Sequence, residues 1–411
     1  QERKGGRSLK VHRRSVHPAK RVCDEWARLL MNDKTEVVCE DQECTDRLAE
    51  LFRSTGFFAR GQQLVSKAFA LGTCGMSMWL DLDAGKAQVR RYDAKCTLPL
   101  SWDDDGVTEC AFVTRAVVDG KQVDQLVMHL VGDDGGYVIR TRCWDKDGNL
   151  VQSDSVADEV PTGSELPTFA VWVPIPNTFS DCSPYGESLY AHAVDQVEAV
   201  DMAYDAMVNE VDLGKLRIFV SDSLIERGED GNGDPLPFGR DNTVFRKLDG
   251  MDEVVKEFAP GLRTEQQVRA YRTAWQTLGD SCGFGSSYFD VDEHGGVKTA
   301  TEVASDSSEL MRSIRMYENS LENAVAAISH AALACLRLLG ESLPEEGQVH
   351  VQWDDSIITD TAADKAQDMA EVAAGLMAAW EYRVKWYGED EETAKANDPG
   401  AAQAFDAAEL G

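Results

Sequence analysis

Several runs of carboxylates are of a residue type that could bind a divalent metal or exchange protons. They lie at 103–105, 133–134, 354–355 and 389–392. Metal-dependent hydrolysis of a phosphodiester sets such carboxylates beside a Lys or His on a βα scaffold, and the sequence shows no such arrangement around these runs. With a formal net charge of −31 over 411 residues, acidic runs arise by chance. They predict neither a metal site nor catalytic residues.

The motifs of nucleophilic and nucleotide-dependent enzymes are also absent from the sequence. It contains no Gly-x-Ser-x-Gly elbow, no Walker phosphate loop and no His-Glu-x-x-His. Gly283-Phe-Gly285 does not follow a strand in a βαβ unit, as a dinucleotide fingerprint would. Asp145-Lys-Asp-Gly-Asn149 lacks the closing Glu of a calcium loop, so a hairpin turn is predicted there. We therefore predict no enzymatic activity, no cofactor and no metal.

The ten cysteines are scattered and none forms Cys-x-x-Cys. This distribution favours reduced thiols over a disulfide framework or a zinc site. No stretch of eighteen apolar residues occurs, so no membrane span and no membrane partner are predicted.

The charge is distributed unevenly. Residues 1–21, named here the basic arm, hold eight Lys or Arg and one acid, a net charge of +7, which leaves −38 on the remainder. So large an acidic excess disfavours simple electrostatic binding of nucleic acid by the remainder. Two interpretations of the arm stay open: it contacts an acidic neighbour or nucleic acid, or it is a solvated segment.

One group of acids follows a helical period on a predicted helix over 186–213. Spacings of three, four and seven residues put its members on one face, and no Lys or Arg precedes Lys215 on this helix. This group, named here the acidic strip, comprises Glu198, Asp201, Asp205 and Asp212. A row of like charges gains nothing for helix stability. The strip is therefore either a solvated face or a surface that must not adhere to polyanions.

Hydrophobic periodicity predicts the elements that carry these residues. Helices are predicted over 17–33, 44–55, 61–71, 186–213, 263–280, 299–339, 361–386 and 389–397. Between Gly75 and Trp172 the period becomes two, with Asp-Gly and Gly-Gly turns, which is typical of antiparallel hairpins. Further strands are predicted over 216–220, 244–248, 254–258 and 349–353. The pattern predicts an α+β fold.

The order of these elements resembles the portal proteins of tailed bacteriophages, in particular long-tailed phages of Gram-positive bacteria. A region of helices and hairpins leads to a long helix, a small insertion, a return helix, a glycine-rich loop and a still longer helix. Short stretches carry the same resemblance, over 184–191, 201–205, 214–220, 298–303 and 354–360. The likeness extends over about residues 10–395.

The resemblance implies a portal fold with a wing, a two-helix stem, a small α/β clip, a long kinked wing helix and a helical crown. Carried over by position, the wing is 1–185 (helices, then antiparallel hairpins), the stem helices are 186–213 and 263–280, the clip is 214–262, the tunnel loop is 281–298, the long wing helix with its closing strand is 299–360, and the crown is 361–411.

The resemblance also implies roles for particular residues. The acidic strip would line the DNA channel and repel phosphate. Tunnel-loop side chains expected to approach DNA or a neighbouring loop are Phe284, Tyr288, Phe289, His294 and Lys298. The glycines Gly283, Gly285, Gly295 and Gly296 would let this loop change shape against passing DNA. Clip residues expected to pair across subunits are Arg217, Ile218, Phe219, Val220, Phe245, Val254 and Val255.

Members of the resembled family form dodecameric rings at one capsid vertex, and double-stranded DNA is packaged and ejected through them. By resemblance, the expected partners are other copies of the chain, the terminase large subunit, the head-completion adaptor, the major capsid and scaffolding proteins, and DNA bound without sequence specificity. The expected location is the virion, after assembly in the host cytoplasm. The basic arm is expected to reach an adjacent wing or the capsid floor.

Three other classes of protein stay open from the sequence. A minor capsid structural protein would share the wing but lack the helix–insertion–helix stem. An acidic DNA mimic is usually small and needs no loop of this glycine density. An enzyme is the third class, and the motif search gives it no support.

Overall fold

The computed structural model describes residues 2–4, 7–9, 13–32, 34–81, 85–104, 106–153, 156–180, 182–214, 217–220, 244–246, 255–258, 261–289, 300–353 and 361–396. The chain divides into two compact units, Gln1–Val351 and Gln352–Gly411. Helices and sheets are both present in the first unit, and the predicted α+β class is confirmed.

The helices are α1 (Pro18–Leu30), α2 (Gln42–Thr55), α3 (Phe57–Leu71), α4 (Val194–Leu213), α5 (Thr264–Ser281), α6 (Ala300–Leu338), α7 (Thr361–Ala373), α8 (Ala379–Tyr387) and α9 (Glu391–Ala396). The strands are β1 (Glu2–Lys4), β2 (Arg7–Leu9), β3 (Glu36–Cys39), β4 (Cys74–Asp81), β5 (Lys86–Asp93), β6 (Thr97–Asp103), β7 (Gly106–Val118), β8 (Lys121–Val131), β9 (Tyr137–Trp144), β10 (Leu150–Val151), β11 (Glu159–Pro161), β12 (Phe169–Trp172), β13 (Arg217–Val220), β14 (Val244–Arg246), β15 (Val255–Phe258) and β16 (Val349–Gln352).

The predicted hairpins form an antiparallel sheet in the order β10-β9-β8-β7-β6, with β11 also paired to β9. Alternate side chains on β8 and β9 are buried, as the period of two predicts. Phe112 and Phe169 are at the centre of the core on the inner face. The predicted turn after β9 is a hairpin turn, since the Asp145 carboxylate accepts the N–H groups of Asp147 and Asn149, each at 2.9 Å.

A second sheet, β12-β4-β5, packs against α3 and α6. Its core holds Trp26 of α1, Phe69 of α3, Trp172 of β12 and Tyr317 of α6, and all four are at most 5% exposed. Trp26 packs edge-on to Tyr317 with ring centroids 4.8 Å apart, a geometry that aromatic quadrupoles favour. This cluster joins the first helix to the longest one. The pairing of β3 with β16 also joins distant segments, and the sequence did not predict β3.

The first residues of the predicted 186–213 helix form turns, so that prediction is wrong at its start. Their backbone groups bond to other segments: the Gly186 N–H donates to Thr73 Oγ1 at 3.0 Å, and the Leu189 N–H to the Phe69 carbonyl at 2.8 Å. Gly186 also lies so close to the Gly72 carbonyl that a Cβ would be 2.5 Å from its oxygen. Because these donors are used outside a helix, α4 begins only at Val194.

Helix α6 contains 39 residues and matches its predicted span within one residue. Over Glu309–Leu338 it is long and apolar enough to cross a membrane, but 56% of the apolar window is buried inside the protein, as in a core helix. In the second unit, the helix predicted over 361–386 is two helices, α7 and α8. The chain turns between them at Gly375, whose φ of +72° favours glycine.

Candidate channel and inter-subunit surfaces

Helices α4 and α5 form an antiparallel pair. Tyr204 faces Tyr271 with ring centroids 6.0 Å apart, and Glu210, near the end of α4, meets Arg263, just before α5. The Arg263 guanidinium donates to both Glu210 oxygens, at 3.0 and 2.8 Å, and its backbone N–H donates to Oε1 at 3.1 Å. Hydrogen bonds from Arg263 hold the pKa of Glu210 below its usual range. A fork-shaped charge-assisted pair thus fixes the register of the two helices.

The strands between these helices in sequence form a three-stranded sheet in the order β14-β13-β15. Strand β13 runs parallel to β14 and antiparallel to β15. Strand β13, with Arg217, Ile218, Phe219 and Val220, is central and uses both edges within the subunit. Because a central strand has no free edge, β13 is not placed to add a further strand. A contact of its residues with a neighbouring subunit stays a prediction.

The outer edges of this sheet belong to β14, which contains Phe245, and β15, which contains Val255. Neither edge is paired with another described strand. Val254 lies outside the described residues. Pairing across subunits at these two edges stays a prediction.

The acidic strip is in contact with the basic arm. Glu198, Asp201 and Asp205 lie on α4, and residues 13–16 of the arm run along them. Asp212 is in the last turn of α4, and its side chain is outside the described residues. The strip lacks cationic partners on its own helix, as the sequence indicates. Its cationic partners are Arg13 and Arg14, nearly 190 residues away in the chain.

Of the aromatic residues predicted to face DNA, Phe284 lies in the protein core, and Tyr288 and Phe289 are partly buried. Phe284 is 1% exposed and lies 4.6 Å from Trp26, centroid to centroid. Phe289 is partly buried and stacks obliquely on Trp275 at 5.2 Å. The prediction for Phe284 is wrong because the first turn after α5 folds back onto α1, where the Trp26 indole N–H donates to the Cys282 carbonyl at 3.0 Å.

Tyr288 is likewise occupied within the subunit, since its hydroxyl donates to Glu25 Oε1 at 2.7 Å. Burial, followed by the neighbouring Glu25 carboxylate, raises the pKa of Tyr288 well above its usual value. Gly283 and Gly285 have φ values of +80° and +77°, so they serve a tight turn against the core. The remaining predicted loop residues, His294, Gly295, Gly296 and Lys298, lie outside the described residues.

A polar cluster that no sequence pattern indicates precedes α4. Glu187 is 8% exposed, and its carboxylate accepts the Thr178 hydroxyl at 3.0 Å and lies 3.0 Å from His192 Nε2. Phe179, 71% exposed, stacks on His192. The cluster fixes the turn that leads into α4, and it lies in a stretch that the sequence marks only as a linker.

Within the described ranges, no group of three or more His, Cys, Asp or Glu side chains could hold a metal ion. All ten cysteines are free thiols in the structure. Burial raises the pKa of the Cys23, Cys74, Cys110, Cys282 and Cys335 thiols to about 12. Thiols held protonated in this way are poor nucleophiles.

A family model described as "Phage portal protein, SPP1 Gp6-like" matches residues 9–379. The match covers most of the chain, so the chain belongs to this family of phage portal proteins. Members of the family are structural proteins. The resemblance inferred from the sequence is thereby confirmed. No curated protein matches the chain.

Three solved structures are similar to this chain in fold. One is from the neck of an empty GTA particle (13% identity, TM-score 0.42, 89% of this chain and 88% of that chain). Another is from the virion of a native gene transfer agent particle (12% identity, TM-score 0.40, 89% and 87%). The third is an HK97 family phage portal protein from Corynebacterium diphtheriae (8% identity, TM-score 0.34, 84% and 94%).

Proposed function

We propose that the chain is the subunit of a dodecameric portal ring at one capsid vertex, and that double-stranded DNA is packaged and ejected through its central channel. The observation that carries the proposal is the antiparallel pair α4/α5 with the sheet β14-β13-β15 between its helices in sequence. Helix α4 is about 30 Å long at 1.5 Å per residue. Helix pairs of this length, set side by side around an axis, form a channel wall.

In the proposed ring the α4/α5 pair is the stem and the β14-β13-β15 sheet is the clip. Residues 1–185 belong to the wing, residues 299–360 are the long wing helix with its closing strand, and residues 361–411 are the crown. Helix α4 turns its acidic strip toward the channel. Residues 13–16 bring two guanidinium groups to the four acids of the strip, so the strip keeps a net negative charge with the arm in place. A wall of this sign repels phosphates and lets DNA pass without adhesion.

The proposed partners follow from this arrangement. The clip is the docking surface for the terminase large subunit during packaging and for the head-completion adaptor afterwards. The wing meets the scaffolding and major capsid proteins. The role is structural, in the virion after assembly in the host cytoplasm, and the ATP-driven work is done by the terminase.

The mass and shape of the purified chain test the proposal, by light scattering and negative-stain microscopy. Rings of about twelve subunits with a central hole are the expected result. A compact dimer with no hole contradicts the channel and favours the minor capsid structural protein.

A charge reversal adds a matched test of the helix pair. Arg263→Glu sets two carboxylates against each other at the base of α4 and α5, so it is expected to abolish rings. The double variant Glu210→Arg/Arg263→Glu restores the opposite charges and is expected to recover part of the ring population. Equal ring formation in all three proteins would show that ring formation does not depend on this pair.

A further inference from the structure

The contact between the basic arm and the acidic strip is a defined seat for an extended peptide. The two Asp201 oxygens accept different groups: Oδ2 accepts the Ser15 hydroxyl at 2.7 Å and Oδ1 accepts the Val16 N–H at 2.9 Å. One turn further along α4, Asp205 Oδ1 accepts the Arg14 N–H at 3.2 Å. Since two of these donors are backbone groups, the seat fixes the path of the arm as well as its charge.

The side-chain charges of the arm extend the same contact. The Arg14 guanidinium donates to Asn209 Oδ1 at 2.9 Å and lies 3.6 Å from Asp205. The Arg13 guanidinium lies 4.0 Å from Glu198, and both side chains are about two-thirds exposed. Exposed pairs of this kind contribute roughly 0–1 kcal/mol each and weaken as salt rises. The arm is therefore held in place by contacts that a competing ligand can replace.

The arm is also the part of the chain best suited to a polyanion. It carries a net charge of +7, against −38 on the remainder. Phosphate backbones bind Lys and Arg through release of counterions, without reference to sequence. Acids on α4 contact two of these cations, Arg13 and Arg14. Residues 18–21 of the arm already belong to α1. Because the strip and the arm are parts of one chain, the strip competes with a ligand at an effective concentration of the order of millimolar.

We propose that the basic arm is a binding element for double-stranded DNA and that the acidic strip is its built-in competitor, so that the arm is masked until DNA displaces it. This inference does not depend on the ring. A single folded subunit is sufficient to show masking, and the ring is assessed separately by its mass and shape.

The test is the binding of a fluorescent 30-base-pair duplex of mixed sequence to the full chain at low salt. Asp201→Asn/Asp205→Asn removes both charges of the seat and one of the two acceptor oxygens of each residue. This variant is expected to bind the duplex roughly 10-fold more tightly than the wild type, because the competitor is weakened. Asp133→Asn/Glu43→Gln is the matched control. It removes the same charge from two exposed acids, one in the turn after β8 and one in α2, and is expected to bind within about 2-fold of the wild type.

Two results would overturn the proposal. One is equal tightening in the seat variant and in its control, which would make the effect a matter of net charge alone. The other is a gain that persists when the six cations before α1 are also replaced by Gln in the seat variant, because the arm would then not be the DNA-binding element. These cations are Arg3, Lys4, Arg7, Lys10, Arg13 and Arg14.

The wild-type chain gives a second readout that needs no variant. The Val16 amide donates to Asp201, so its hydrogen exchange is slow while the arm is seated. Addition of the duplex is expected to speed that exchange. Unchanged exchange at saturating duplex would show that DNA does not displace the arm, and the proposal would fail.

Discussion

The aromatic cluster around Trp26 and the contact between the arm and the strip both join residues that are far apart in the chain, but they do so by different physics. Trp26 reaches Cys282 across 256 positions, inside a core from which water is excluded. Ser15 reaches Asp201 across 186 positions, at the surface and through charge. The first contact is a condition of folding, because its burial stabilises the folded state. The second can open while the protein stays folded.

The difference also explains how the residue types misled the sequence-based assignment. Aromatic residues in a glycine-rich segment suggested a surface that meets DNA, but Phe284 is buried. Acids in a helical row suggested a bare wall, but residues 13–16 cover that row. In both cases the decisive partner lies on a segment that periodicity cannot locate.

The largest expected effect tests the buried contact. Phe284→Ala removes a ring that is 1% exposed and leaves a cavity beside Trp26, so it should lower the free energy of unfolding by about 3–5 kcal/mol. Phe179→Ala is the control, since that ring is 71% exposed, and its effect should stay within about 0.5 kcal/mol. Urea unfolding followed by tryptophan fluorescence measures both. Similar values for the two variants would mean that Phe284 faces solvent.

The next effect concerns the close backbone approach that delays the start of α4. A Cβ at Gly186 would meet the carbonyl oxygens of Gly72 and Ile175, and backbone cannot move aside, so Gly186→Ala should cost about 3 kcal/mol. At Gly61 a Cβ would meet the flexible end of Met31. Gly61→Ala should therefore change stability by less than about 1 kcal/mol. Thermal unfolding of the two variants measures both changes. Equal losses of stability would contradict the close backbone approach at Gly186.

A pH effect is expected from the inner face of the hairpin sheet. His129 is fully buried beside Thr168, and burial lowers its pKa to about 3. In the unfolded chain it titrates near 6.5, so the folded protein must keep it neutral. Above pH 6.5 the neutral His129 costs the folded state no proton. As the pH falls from 6.5 toward 3, the free energy of unfolding therefore decreases, by up to about 1.4 kcal/mol per pH unit.

His129→Phe tests this pH effect. A ring of similar size keeps the contacts with Phe112 and Phe169 and cannot be protonated. The free energy of unfolding of this variant should fall less steeply between pH 6.5 and 4 than that of the wild type. The same slope in both proteins would assign the acid sensitivity to other groups.

The smallest effect is expected at the arm. Arg13→Gln removes a guanidinium that lies 4.0 Å from Glu198 with both side chains largely exposed, so the free energy of unfolding should change by less than about 0.5 kcal/mol. Denaturant unfolding at low and high salt measures it. A loss of several kcal/mol would mean that the contact between the arm and the strip is needed for folding, as the aromatic cluster around Trp26 is.

Much of the fold could be predicted from the sequence, because period and turn chemistry are local. The hairpins, the long helices and the strands between α4 and α5 follow from residues within a few positions of one another. The order of these elements indicated the portal family, which the family match over 9–379 confirms. Helix α1 is shorter than predicted and begins at Pro18, where a proline is tolerated.

The remainder depended on contacts that no local pattern contains. The start of α4 is set by Gly72, and the seat of the arm is set by Asp201. The central position of β13 is set by strands on both sides of it. Each requires the folded chain to bring two segments together, and a single sequence does not specify which segments these are.

Helix α6 has a mechanical consequence. At 1.5 Å per residue its 39 residues make a rod of about 58 Å. Buried side chains recur along it from Ile314 to Leu336, a span of about 33 Å. Contacts spread over that length fix the direction of the helix axis, so a force on any residue of the buried span is shared by the whole row of contacts. The aromatic cluster at Tyr317 is the part of that row nearest to Ile314.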